Sequence, residues 1–244
     1  FITAITSLAL LAWQERRHEY PFLPVDLFRN ATIRLSAVLI VLFAACMFAL
    51  IFFLPIYLQL GHALSAQASG LLLLPVTAGQ VIAAVAAARI LRRTGEPHWI
   101  PVAGMSLTSF GLLMLGLLPP HLPIIVILAF LTGLGLGCVM PVNQVVVQTV
   151  SGRTQLAAAT ATISLSRSTG GAAGAALFGA LVFAMLPDID RHTLTQQVDT
   201  LDRDLVIRAF HRAFLFAAAV AALGAYTANK IPTITLWPPR KPGG

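Results

Sequence analysis

Charged residues are scarce in this 244-residue chain, at 10% of the total against 57% hydrophobic residues. A soluble domain carries a charge on about a quarter of its residues. With so few charges, the chain cannot surround a compact core with a water-facing surface, because large apolar patches would stay exposed. The composition therefore excludes an ordinary soluble domain and predicts a protein that is dissolved in lipid.

Cysteine is nearly absent. The only two cysteines, Cys46 and Cys138, each lie within an apolar run. Two isolated cysteines of this kind do not form a disulfide framework, and we interpret both as small apolar residues that face lipid or the protein interior. We also expect neither a metal nor a cofactor.

Acidic residues are missing from every long apolar run. All nine lie in the polar segments between the runs, and the six histidines lie there or at the edges of the runs. Proton relays in membranes depend on Asp, Glu or His at depth, so the titrating group of a proton-driven protein would lie outside this sequence. An intramembrane enzyme is disfavoured too, because Ser164, Ser166 and Ser168 have no histidine base beside them in their run.

Six apolar runs are long enough to cross a bilayer as helices, which takes about 20 residues. They lack the alternation of barrel strands and are about twice as long. The predicted fold is therefore all-α, a polytopic membrane bundle of six transmembrane helices over residues 35–229. The predicted spans are 35–60, 69–91, 99–118, 122–150, 155–186 and 210–229.

The two ends of the chain suggest that it is a fragment of a longer protein. Residues 1–13 are apolar but too few to cross a hydrocarbon core of about 30 Å, so we interpret them as the end of a preceding membrane helix. Residues 14–34 then form a linker, and residues 230–244 form a tail.

Lysine and arginine predict the orientation in the membrane. Eleven of the 16 basic residues fall in the linker, the tail and the alternate loops between them. Because Lys and Arg gather on the cytoplasmic side, the linker and the carboxyl terminus are predicted to be cytoplasmic, at the cell inner (plasma) membrane. The net charge of +7 is thus a topology signal, and no clustered basic face with stacking aromatics indicates a nucleic-acid partner.

Three amides lie on the predicted fourth span: Asn143, Gln144 and Gln148. Gln144 and Gln148 are four residues apart and share a helix face. An amide in hydrocarbon needs a partner, which is either another helix or a polar cavity. Both readings stay open, and we take the three amides as candidates for substrate binding.

Two further candidates lie late in the first span, where Tyr57 and Gln59 follow Pro55. Tyr57 also fits an aromatic residue at the membrane interface. The fourth span repeats the pattern of a late proline followed by glutamine, with Pro141 before Gln144. Corresponding interrupted helices in two halves of a repeat point to a transporter binding site.

Arg167 is the one basic residue well inside a predicted span. A cation at depth costs about 2.5 to 3.5 kcal/mol on the insertion scale. It either extends to the lipid phosphates or faces a cytoplasmic vestibule, where it would act in gating. Gly170, Gly174 and Gly179 follow it at spacings typical of close helix packing.

Three stretches together resemble a known family: PFLPVDLFRN, FFLPIYLQLGHALSAQASGLLLLP and RSTGGAAGAALFGA. They are similar to the fourteen-helix drug and proton antiporters of the major facilitator superfamily (EmrB/QacA type), over nearly the whole chain. One stretch departs from the family, since AAARILRRTGEPH lacks the Asp of its basic gating motif.

This resemblance implies the carboxyl-terminal six-helix bundle of an exporter that works by alternating access. Its partners would be the missing amino-terminal bundle, membrane lipid and protons. The substrate would be a hydrophobic or amphiphilic drug or antibiotic. The alternatives are an exporter of an endogenous metabolite, lipid or siderophore, and a non-transporting truncated membrane protein.

Overall fold

The computed structural model describes residues 30–119, 121–185 and 203–233. Within these ranges the chain is helical apart from short connections, and no strand occurs, which confirms the predicted all-α fold. The segments 1–13 and 14–29 and most of the tail lie outside the described residues. The helices are α1 Ala31–His62, α2 Ala66–Leu71, α3 Leu74–Thr94, α4 Trp99–Leu117, α5 Leu122–Ala184 and α6 Arg203–Asn229.

The first helix begins before its predicted start at residue 35. Asn30 precedes it in an extended conformation, and its side-chain oxygen accepts a hydrogen bond of 2.9 Å from the Thr32 amide. This is a helix N-cap, which satisfies an amide that has no partner within the helix. The last residues assigned to the linker by hydropathy therefore belong to the helix.

The predicted second span is interrupted, since α2 ends at Leu71 and α3 begins at Leu74. Pro75 lies in the first turn of α3. A proline ring clashes with the carbonyl group four residues earlier, which here belongs to Leu71, and it supplies no amide hydrogen. The break therefore falls where the proline chemistry requires it.

A kink at Gly152 divides α5 into two arms. Its backbone has φ 66° and ψ 179°, a region that is essentially accessible to glycine alone. The first arm covers Leu122–Gly152, and the second arm covers residues 153–184. The first arm runs parallel to α3 and the second parallel to α1.

Five helical segments in the described ranges are long and apolar enough to span a membrane: Ala31–His62, Ala66–Thr94, Trp99–Leu117, Leu122–Gly152 and Leu205–Asn229. The sixth predicted span is the second arm of α5, which is helical to Ala184. Its Gly, Ser and Thr content makes it less apolar than the others. The second arm runs in the direction opposite to the first arm and parallel to α1. It therefore completes a bundle of six segments that alternate in direction.

Each helix of the bundle packs on one or two neighbouring helices in a continuous series. The first arm packs between α3 and α4, α4 packs on α6, α6 packs on α1, and α1 packs on the second arm. Interhelical hydrogen bonds among residues 30–119, 121–185 and 203–233 are few, and one joins the Ser109 hydroxyl to the Ala218 carbonyl at 2.9 Å. One face of α3 is covered by no described helix, with Leu74 60% and Val81 63% exposed.

Candidate functional site

A groove with a volume of about 500 Å³ opens between α1, α3 and both arms of α5. Most of its lining is apolar, and we call it the polar groove because three long polar side chains also reach it. Its apolar lining includes Phe43, Met47 and Met140, and its polar side chains are Gln80, Gln144 and Arg167.

The polar groove lies near the middle of the bundle. At a rise of about 1.5 Å per residue, Gln80 is roughly 21 Å from the end of α3 at Thr94, and Gln144 is roughly 12 Å from the kink at Gly152. Arg167 is roughly 22 Å from the same kink on the second arm. Since the segment Ala66–Thr94 and both arms are each about 45 Å long, Gln80 and Arg167 lie near the middle of their helices, and Gln144 lies nearer to the kink.

Gln80 is positioned by a close approach of two helices. A Cβ atom on Gly137 would lie 2.8 Å from the Gln80 Cα, and a Cβ on Gly133 would lie 3.0 Å from the Val76 Cα. Glycine at both positions therefore lets α3 lie directly on the first arm. The Gln80 side-chain nitrogen is buried and has no hydrogen-bond partner among the described residues, a state that costs about 1 to 3 kcal/mol.

Sequence-based prediction did not include Gln80. The signal was a single glutamine in the second apolar run, in the string PVTAGQVIAA. It lies among small residues, which is where a close helix contact is expected. A systematic search for isolated amides in every span would have found it.

The electrostatic character of the polar groove is positive. Arg167 is exposed at its side, and none of the described residues that line the groove is acidic. Glu96 lies in the connection between α3 and α4 and is not among the residues that line the groove. The guanidinium thus has no described carboxylate beside it.

Two of the six residues predicted for substrate binding or gating, Gln144 and Arg167, line the polar groove. Gln148 is exposed on the first arm, one turn nearer to Gly152, and is not part of the lining. Gln59 is half-buried near the carboxyl-terminal end of α1, beyond the α1 residues that line the groove. The structure therefore brings together Gln144 and Arg167, with Gln80, and does not bring Gln59 or Gln148 to them.

Tyr57 lies in a buried aromatic cluster between α1 and α6. Its ring centroid is 5.5 Å from that of Phe210 and 5.6 Å from that of Phe214. Its hydroxyl lies 3.4 Å from Nε2 of His211, and its side chain is only 1% exposed. Tyr57 therefore faces the interior of the bundle and does not reach the polar groove.

Asn143, next to Gln144, points away from the polar groove. It is buried beside His98 and Ile231, where α4 begins and α6 ends. The His98 Nδ1 lies 3.1 Å from the Ile231 carbonyl oxygen. The Asn143 side-chain nitrogen has no hydrogen-bond partner among the described residues.

The three glycines predicted for helix packing face α1. A Cβ on Gly170 would lie 2.6 Å from the Val41 Cα, and one on Gly174 would lie 2.7 Å from the Ala45 Cβ. At Gly179 the approach is looser, since the nearest atom, Cζ of Phe53, would be 3.2 Å away. The second arm thus lies directly against the backbone of α1 along two of its turns.

A metal site is not formed by the described residues, since they bring no three His, Cys, Asp or Glu side chains together. A bundle of membrane-crossing helices with a polar groove between them is typical of secondary transporters. The fold and the groove thus define a class of polytopic, helical membrane proteins.

Comparison with known proteins identifies the family. The chain belongs to the Major Facilitator Superfamily, whose model matches residues 1–175 and 38–243. An uncharacterized MFS-type transporter of Mycobacterium tuberculosis is 33% identical over 182 residues, which is 74% of this chain and 26% of the relative.

Two further relatives have names that state what they do. The multidrug transporter protein MdtP of Bacillus subtilis is 26% identical over 82% of this chain and 37% of its own length. The tetracenomycin C resistance and export protein of Streptomyces glaucescens is 30% identical over 76% of this chain and 35% of its own length. The chain thus spans between about a quarter and somewhat more than a third of the length of these relatives.

The fold is shared with a solved structure, a bacterial homolog of the human lysosomal transporter Spinster in an inward-facing, unoccupied conformation. The TM-score is 0.62 at 17% identity, and the match covers 88% of this chain and 52% of the other. The chain therefore shares the fold of about half of that transporter.

Proposed function

We propose that this chain is the carboxyl-terminal six-helix half of a fourteen-helix exporter of hydrophobic or amphiphilic drugs or antibiotics. The observation that carries the proposal is the polar groove, because Gln80, Gln144 and Arg167 reach it among apolar side chains. The names of the multidrug and tetracenomycin C relatives support export of such compounds.

The dimensions and lining of the groove suit an amphiphilic solute. Ligand pockets usually have volumes of about 300 to 1,000 Å³ and are mostly apolar, with a few polar groups that orient the ligand. The groove, at about 500 Å³, matches this description. No described helix covers one side of the groove. In this proposal the amino-terminal bundle lies on that side and closes the groove during alternating access.

Proton antiport is the energy source in this proposal, and the amino-terminal bundle provides the coupling group. The five segments that are long and apolar enough to span a membrane carry no acidic residue, whereas intramembrane proton relays depend on such groups. In the proposed orientation the carboxyl terminus lies in the cytoplasm at the plasma membrane, as the lysine and arginine distribution favours.

The test is efflux by the full-length protein from bacterial cells that lack their major efflux pumps. A panel of fluorescent hydrophobic compounds is loaded, and their loss is followed with and without a protonophore. We expect faster loss of some compounds, which the protonophore abolishes. We expect Gln80→Ala and Gln144→Ala to reduce the loss, because both remove a polar group from the groove.

Gln148→Ala is the matched control, since it removes the same amide from the same arm outside the groove. Its efflux should equal that of the wild type. Wild-type efflux by Gln80→Ala and Gln144→Ala, as by Gln148→Ala, would contradict a binding role for the groove. Failure of the wild-type protein to export any compound in the panel would contradict the proposed function itself.

A further inference from the structure

The positive charge of the polar groove is carried by Arg167, which no described carboxylate neutralises. We infer that the groove selects amphiphiles with an anionic oxygen head group, such as a sulfonate or a carboxylate. The inference rests on the proposed function and adds the class of substrate to it. Amphiphilic cations become poor substrates.

The first step of the argument concerns the energy of a charge at this depth. Arg167 lies roughly 22 Å along its arm from the kink, where an unpaired cation is costly in lipid. An anion in the groove would relieve that cost, since the attraction between opposite charges grows as water is displaced. A cation would add a repulsion at the same place.

The second step concerns hydrogen-bond polarity. A guanidinium has five N–H donors and no acceptor, and its planar fork suits the two oxygens of an anionic head group. A head group that accepts hydrogen bonds would satisfy this fork, whereas an ammonium group, which is itself a donor, would not. Gln80 and Gln144 also line the groove, but each amide has a donor and an acceptor, so the preference for an anion rests on Arg167.

The third step concerns the rest of the ligand. Phe43, Met47 and Met140 provide an apolar wall beside these donors. Methionine side chains are unbranched and polarizable, so they adapt to ligands of different shape. The groove thus combines a fixed anion-binding end with an adaptable apolar wall, which fits a class of anionic amphiphiles better than a single rigid molecule.

A rival explanation is that Arg167 forms an ion pair with a carboxylate of the amino-terminal bundle. In that case Arg167 would matter equally for charged and uncharged substrates. Two compounds that differ only in the charge of the head group separate the explanations. A fluorescent naphthalene sulfonate and its matching neutral sulfonamide form such a pair.

The experiment measures uptake of each compound into everted membrane vesicles that contain the full-length protein, driven by an acidic interior. We expect the wild type to transport the sulfonate more efficiently than the sulfonamide. Arg167→Gln should lower the kcat/KM for the sulfonate about tenfold, as expected for loss of a charged hydrogen bond, and leave the sulfonamide within about twofold. Arg167→Lys should retain part of the preference, since it keeps the charge without the fork.

The outcomes separate the inference from the proposed function. An equal loss for both compounds in Arg167→Gln, or a wild-type preference for the sulfonamide, would overturn the inference and leave export intact. Absence of any transport by the wild type, over this pair and the wider panel, would overturn both. Thermal unfolding of the purified variants shows whether a loss reflects folding, and Arg167→Lys supplies a folded variant of the same size if Arg167→Gln unfolds.

Discussion

The Tyr57 hydroxyl lies 3.4 Å from Nε2 of His211 and joins α1 to α6 inside a cluster of aromatic rings. Because the ring is packed against Phe210 and Phe214, we expect its main contribution to be apolar packing. This contact leads to the first prediction, which separates the hydroxyl from the ring.

Tyr57→Phe should lower the free energy of unfolding by about 1 kcal/mol or less, since it removes one long hydrogen bond. Tyr57→Ala should lower it by about 3 to 5 kcal/mol, because it leaves a cavity in the cluster. Denaturant unfolding of the purified full-length protein in detergent measures both. A folded Tyr57→Phe protein that no longer transports would instead place the hydroxyl in substrate binding.

The kink at Gly152 yields a second prediction. Gly152→Ala should destabilise the protein by about 1 to 3 kcal/mol, because alanine is strained at φ 66° and ψ 179°. Crowding plays no part, since no atom lies within 4 Å of the position of an added Cβ.

Gly70→Ala is the matched control for Gly152→Ala. An added Cβ at Gly70 also meets no atom within 4 Å, but Gly70 lies in α2 without a positive φ. Its stability should be unchanged or slightly raised, because alanine favours helix. If the two substitutions change the free energy of unfolding equally, a side chain at the kink causes no backbone strain and the prediction is wrong.

The contact between the second arm and α1 gives a third prediction. Gly174→Val should destabilise the bundle by about 1 to 3 kcal/mol, as expected for overpacking, because even a Cβ would approach the Ala45 Cβ to 2.7 Å. Gly70→Val is the control, at a position with free space. The measurement is the temperature at which each detergent-purified variant aggregates, and a Gly174→Val protein as stable as Gly70→Val would contradict the observed packing.

Asn143 and Gln144 are adjacent in sequence, yet we predict opposite effects for the same substitution. Asn143→Leu should leave transport intact and keep or raise stability, since it removes a buried nitrogen that has no described partner. Gln144→Leu should keep stability and lower transport, because Gln144 lines the polar groove. Efflux and unfolding are measured on both variants, and a transport loss confined to Asn143→Leu would reverse the assignment.

Helix positions were largely predictable from the sequence because apolar runs report directly on burial in lipid. The predicted span 99–118 agrees closely with α4, Trp99–Leu117. The start of α6 was not predictable from hydropathy, since the helix begins at Arg203 and its first turns contain Arg208. The break before α3 could have been predicted from Pro75. Mean hydropathy over a window does not reveal it, because the residues on both sides of the break are apolar.

Helix faces were much less predictable. The α1 sequence is apolar all round, so no periodicity shows that Tyr57 faces α6 while Phe52 is 52% exposed. Likewise, Asn143 and Gln144 differ by about 100° of rotation, and only the packing of neighbouring helices determines which of them reaches the groove. Gln80 became identifiable once the structure placed Gly137 against it.

The most direct test of the account is whether substrate occupies the polar groove. In the full-length protein, a single cysteine is introduced by Gln144→Cys after every native cysteine, including Cys46 and Cys138, has been replaced by alanine, and its reaction with a water-soluble thiol reagent is timed with and without an exported compound. We predict that the compound slows labelling at position 144 and leaves labelling of the Gln148→Cys control unchanged. Labelling at position 144 that is indifferent to the compound would contradict the account.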